Sequence, residues 1–225
     1  MKKRILLTAA CLCLLGAGLV LYKTINRTRP IRIACVGDSI TWGAYLKDRS
    51  KECYPYQLGR LLGSEYTVKN FGVNSATAQK DGDKPYWEQK AFIKSTSWKP
   101  DIVILMLGTN DTKAKNRTGI DNFADDYAEL ADHYISCSSS PDVLLMTPPP
   151  IFTPAGEDSP RFDMHRETLE QEISSILKIA DERGLTVIDL HDVLDGQSQY
   201  FQPDGVHPDS DGAGIIARTV YEALS

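Results

Sequence analysis

The chain has 225 residues, of which 42% are hydrophobic and 24% charged, with 16 glycines and 12 prolines, a balance that excludes disorder, collagen, coiled coil and polytopic membrane protein. Lysine and arginine total 25 against 30 acidic residues, a net charge of −5, and beyond residue 4 the cations form no cluster, so the electrostatic footprint of a nucleic-acid partner is missing. One domain of this length buries about 70% of its unfolded surface, and no disulfide or metal staple is required.

Lys2, Lys3 and Arg4 precede an uncharged run over 5–22. A positive region followed by an apolar one is the pattern of an export signal, so residues 1–24 are read as a signal peptide or N-terminal membrane anchor and 30–225 as the domain. Thr8, Ala9 and Ala10 before Cys11 loosely resemble a lipoprotein box without its usual leucine. Without residues 1–22 the net charge moves from −5 to −8. The expectation is an acidic, extracytoplasmic protein: periplasmic, secreted or attached to the membrane through residues 5–22. Cys35, Cys53 and Cys137 remain, an odd number with no Cys-x-x-Cys spacing, so neither a metal site nor a disulfide framework is indicated. A single Cys53–Cys137 bridge is the less favoured alternative to three free thiols.

Five apolar, β-branched runs follow, over 31–36, 66–71, 101–107, 142–147 and 185–190. Between and after them lie helical patterns over 56–62, 87–96, 121–135, 162–183 and 211–224. Nearly continuous apolar strands alternating with helices predict a parallel sheet covered on both faces, one doubly wound α/β domain. In the fourth helix Leu169, Ile173, Ile176 and Ala180 mark one face, and Gly184 supplies the stop. Pro148, Pro149 and Pro150 begin a surface loop.

Ligands of open parallel sheets bind at the carboxyl ends of the strands. Strand one ends in Gly37-Asp38-Ser39, strand two in Gly72-Val73-Asn74, strand three in Gly108-Thr109-Asn110-Asp111, and strand five leads to Asp204-Gly205-Val206-His207. This inventory of hydroxyl, glycine N–H, amide and Asp/His pair fits acyl transfer. A serine hydroxyl is a weak nucleophile until a base takes its proton, and His207 is the histidine that lies in a motif on this rim. Asp204, three residues earlier, is placed to fix the imidazole tautomer. The backbone N–H groups of Ser39 and Gly72 and the Asn110 amide are candidate donors to an oxyanion. Asp111 reads as a cap or loop residue, and Asp38 as a structural acceptor beside the nucleophile or a further substrate contact. Tyr86 and Trp87 read as core aromatics at a helix start or as a pocket wall that stacks on sugar, and with Asp38 they complete the candidate substrate-binding set. His133, His165 and His191 lie outside any motif and read as surface or satisfied polar residues.

The ordered blocks Gly-Asp-Ser, lone Gly, Gly-x-Asn-Asp and Asp-x-x-His resemble those of the SGNH (GDSL-type) esterase family from about Ile31 to the C-terminus. The resemblance implies a flavodoxin-like three-layer α/β/α fold with a five-stranded parallel sheet. It also implies Ser39 as nucleophile, Gly72 and Asn110 in the oxyanion hole, Asp204 and His207 completing a triad, and no metal or cofactor. The stretch from Asn70 to Trp87 is similar to bacterial carbohydrate and sialate O-acetylesterases, which makes a carbohydrate ester or another small ester the expected substrate. Competing readings are a lysophospholipase or thioesterase-like acyl hydrolase with the same triad, a metal phosphoesterase, and a catalytically inactive carbohydrate-binding module.

Overall fold

The computed structural model describes residues 29–224. The export segment expected over 1–24, with Cys11, lies outside the described residues, and no described helix is long and apolar enough to cross a membrane.

The elements in chain order are β1 (Ile31–Gly37), α1 (Ser39–Trp42), α2 (Arg49–Glu52), α3 (Tyr54–Leu62), β2 (Tyr66–Gly72), α4 (Lys90–Ser97), β3 (Ile102–Met106), α5 (Ile120–Ile135), β4 (Asp142–Met146), α6 (Arg166–Arg183), β5 (Thr186–Ile188), α7 (Leu190–Val193) and α8 (Ser210–Leu224). The strands form one parallel sheet in the order β2-β1-β3-β4-β5, the expected α/β architecture. Alternation along the central strands sorts the core into two layers. Ile33, Cys35, Ile104, Met106 and Leu144 meet Leu58 of α3 and Ile216 and Val220 of α8 on one face. Val36, Val103, Leu105 and Leu145 meet Phe123, Tyr127 and Leu130 of α5 and Ile176 and Ile179 of α6 on the other.

The three cysteines in the described residues are free and buried. Cys35 belongs to the first layer and Cys137 to the second. Cys53, at the cap of α3, accepts from the Asn70 amide, so the Cys53–Cys137 bridge is not formed. The helix expected from Phe162 starts instead at Arg166, because Phe162 and Asp163 adopt φ of 61° and 57°, outside the helical region. Gly184 ends α6 in the left-handed conformation, as its position predicts. The strand order reverses between β1 and β3, which stay paired to their last residues, Gly37 and Met106, so the connections leaving their carboxyl ends run to opposite sides and a crevice lies between them.

Candidate active site

Ser39 is the first residue of α1, directly after β1. Asp38 caps this short helix, its Oδ1 accepting the Ile40 N–H at 2.9 Å, and Gly43 closes it at φ 88°. The turn is tight enough that a Cβ on Gly37 would lie 2.5 Å from the Met106 carbonyl oxygen. A serine at this first helical position projects over the end of the sheet, with its backbone N–H among those a helix start leaves unpaired.

His207 reaches the same point from the segment between α7 and α8. Its Nε2 lies 2.8 Å from Ser39 Oγ, and its Nδ1 lies 2.8 Å from Asp204 Oδ2. The other oxygen of Asp204 accepts the N–H groups of Val206 and His207 at 2.8 and 2.9 Å, so one carboxylate both shapes the turn and orients the ring. Partial burial works to raise the Asp204 carboxyl, but the hydrogen bonds from the His207 ring and the two N–H groups prevail and hold it below the ordinary aspartate value. Gly205, at φ 71°, permits the turn to press against Phe152: a Cβ there would lie 2.3 Å from the Phe152 carbonyl oxygen. Ser39 and His207 are 8% and 6% exposed, enough to face a cleft and little enough to exclude bulk water.

Asn110 and Asp111 follow β3. Asp111 is fully buried and accepts the N–H groups of Ala78 and Gln79 at 3.0 and 2.8 Å, which makes it the loop-holding residue expected. Asn116 donates to the Asn110 carbonyl at 2.8 Å and accepts the Asp83 N–H at 2.9 Å, tying the loops after β2 and β3 together. Asn110 lines the cleft. Its Nδ2 donates to the Ala76 carbonyl at 3.1 Å and approaches Asp38 Oδ2 at only 3.5 Å, so its second hydrogen is weakly held.

The cleft has a volume of about 270 Å³. Ser39, Asn110 and His207 form its floor, Trp42, Ala44 and Tyr45 one wall, Phe162 and Met164 another, and Asn74, Ser75 and Lys113 the remainder. Tyr45 and Phe162 are 66% and 43% exposed, with ring centroids 4.9 and 5.9 Å from that of His207.

Gly72 stands elsewhere than expected. Its N–H already donates to Asn70 Oδ1 at 2.9 Å, and it backs onto α1 so closely that a Cβ would lie 2.2 Å from the Trp42 nitrogen. It is a packing glycine and lies outside the cleft wall. Three residues on, Ser75 lines the cleft at φ 63°, and its N–H has no acceptor among the described residues. The signal for it in the sequence is the Asn74-Ser75 pair, residue types that tolerate a turn, just past the strand end. Tyr86 is fully buried in the second core layer, its hydroxyl donating to the Phe71 carbonyl, and Trp87 donates its indole N–H to the Ala78 carbonyl. Tyr86 is a core aromatic, Trp87 packs half-buried against the same layer, and neither lines the cleft. Asp38 is also fully buried, beneath the cleft, as a helix cap. His133 shares a hydrogen bond with Thr96, His165 lies against Arg117, and His191 pairs with Glu170. Among the described residues no group of three or more His, Cys, Asp or Glu side chains is placed to hold a metal ion.

Residues 35–215 match the model of the GDSL-like lipase/acylhydrolase family. The chain belongs to this family. Its relatives include an acetylxylan esterase from Xylanibacter ruminicola, 32% identical over 212 residues that cover 86% of this chain and 43% of that protein, so the GDSL-family chain spans less than half of that relative's length. Among solved structures, a carbohydrate acetylesterase from Sinorhizobium meliloti superposes with a TM-score of 0.71 at 20% identity, covering 86% of this chain and 98% of the other. The aryl esterase of M. smegmatis superposes with a TM-score of 0.70 at 22% identity over the same shares. At those identities the likeness establishes the SGNH hydrolase fold for this GDSL-family chain.

Proposed function

We propose that the chain is a serine esterase that removes short acyl groups, acetyl above all, from carbohydrate. The observation that carries this reading is the unbroken chain of hydrogen bonds from Ser39 Oγ through the His207 ring to Asp204, at 2.8 and 2.8 Å, on the floor of a cleft. Ser39 Oγ attacks the ester carbonyl carbon while His207 Nε2 takes its proton and Asp204 stabilises the imidazolium. The oxyanion is met by the N–H groups of Ser39 and Ser75 and the Asn110 amide. His207 then returns the proton to the departing alcohol oxygen as the C–O bond breaks. A water, deprotonated by the same ring, releases the acid and restores Ser39.

The substrate class rests on the cleft and on the relatives. A volume of about 270 Å³ falls near the low end of small-molecule sites, about 300 Å³ and upward, and suits an acetyl group with one sugar ring rather than a long acyl chain. Tyr45 and Phe162 supply exposed ring faces at the mouth, a surface for stacking. The relatives named above include an acetylxylan esterase and a carbohydrate acetylesterase. The export segment expected over 1–24 supports an extracytoplasmic reaction, where such polymers are met.

Ser39→Ala is expected to lower kcat on p-nitrophenyl acetate by about four orders of magnitude, and retention of wild-type turnover removes Ser39 as nucleophile. Rates across p-nitrophenyl esters from acetyl to palmitoyl are expected to fall with length. A preference for long chains replaces the sugar ester with a lipid or thioester substrate. Acetate release from acetylated xylan and pectin then identifies the alcohol.

A further inference from the structure

Lys113, three residues beyond Asn110, lines the same cleft as Ser39. Its side chain is partly buried, and among the described residues its ammonium has no hydrogen-bond acceptor and no carboxylate within ion-pairing distance. The carboxylates nearest to it electrostatically are engaged elsewhere. Asp83 is paired with Lys115, Asp38 accepts the Ile40 N–H, and Asp111 accepts two N–H groups from the neighbouring loop. Burial presses the ammonium below the ordinary lysine value.

A partly desolvated cation that Asp83, Asp38 and Asp111 attract only from beyond contact distance is incompletely compensated, and here it stands in a cleft whose lining contains no acidic side chain. The chain as a whole is acidic, so its general field repels anions and a local cation is needed to receive one. One ammonium matches a monoanion. A phosphate dianion calls for more donors than the cleft brings together. We propose that the cleft takes acetyl esters of acidic sugars, with Lys113 pairing with the sugar carboxylate. This rests on the esterase reading and narrows its substrate to uronate-type or sialate-type units over neutral ones.

The test uses the full chain and two matched substrates: an acetylated methyl glucuronoside as the free acid, and the same sugar as its primary amide. Wild-type protein is expected to favour the acid by about tenfold in kcat/KM, mostly through KM. Lys113→Met brings that ratio towards one, Lys113→Glu takes it below one, and Lys113→Arg restores most of it. A wild-type ratio near one, or a ratio unmoved by Lys113→Met, overturns the inference. So does a preference for the 6-phosphate of the acetylated sugar over its carboxylate. p-Nitrophenyl acetate separates the two levels. If wild-type protein cleaves it without showing the acid preference, this inference falls and the esterase stands; if wild-type protein cleaves no acetyl ester at all, the esterase reading itself falls.

Discussion

Asp204 divides its two oxygens between different tasks, one towards the His207 ring and one towards two backbone N–H groups. An amide at this position keeps a single acceptor oxygen and brings N–H donors where acceptance is needed. Asp204→Asn is therefore expected to lower kcat by about three to four orders of magnitude with a small change in KM, checked by steady-state kinetics on p-nitrophenyl acetate. The aromatics separate in the same assay. Tyr45→Ala and Phe162→Ala are expected to raise KM for sugar esters several-fold, whereas Tyr86→Ala leaves a void in the second core layer and costs about 3–5 kcal/mol in urea unfolding. Ser39, Asn110, Asp204 and His207 were legible in the sequence because each stands at a strand end or inside a four-residue motif. Ser75, Tyr45 and Phe162 were not: all three sit at φ near +60°, in turns that carry no periodicity. Gly72 drew attention as the glycine nearest the strand end, yet its missing Cβ accommodates Trp42 rather than substrate.

The helix that presents Ser39 has four residues, too few to persist alone. It is held by the Asp38 cap, by the Asn70 amide donating to the Thr41 carbonyl at 2.7 Å, and by contact with Gly72. Gly72→Ala is expected to push this helix aside, with a loss of about 1–3 kcal/mol in unfolding free energy and a parallel fall in kcat. Unchanged stability with lost activity would point instead to an oxyanion role for Gly72. Strands and long helices could be read from their periods to within a few residues. The exceptions lie around the site: a core turn over Tyr86 and Trp87 precedes α4, and the kink at Phe162 delays α6 to Arg166. Both are places where backbone conformation departs from what apolar spacing records.

At the scale of the molecule, three buried carboxyls among the described residues lie outside the Ser39–His207–Asp204 hydrogen-bond chain. Burial pushes Asp38 up to about 6 and Asp111 up to about 7, from an ordinary 3.8, and holds Glu172 well above the ordinary glutamate value. Each keeps its proton more tightly in the folded state than in the unfolded one. Their contribution is therefore complete below the ordinary carboxyl values and is lost as pH rises through the folded ones. Asp204 acts in the opposite sense, but its lowered value confines that effect to pH below 3.8. Urea midpoints are expected to fall between about pH 4 and about pH 7. Glu172→Gln, which removes a buried carboxyl with one oxygen lacking a hydrogen-bond partner, is expected to flatten that slope; an unaltered profile assigns the slope to the two aspartates.

The polarity of the sheet also sets where the ends of the described chain emerge. β1 begins beside Arg29, whose guanidinium clasps Asp101 through two hydrogen bonds of 2.7 and 2.9 Å, and its seven residues put about 20 Å between that point and Ser39. α8 starts just past His207 and runs 15 residues, about 22 Å, back along the first face of the sheet. Both ends thus leave from the rim remote from the cleft. A fusion partner, purification tag or immobilising bead joined directly to Arg29 or Leu224 hangs behind the molecule, and a bulky ester can approach the opening from in front without meeting its tether.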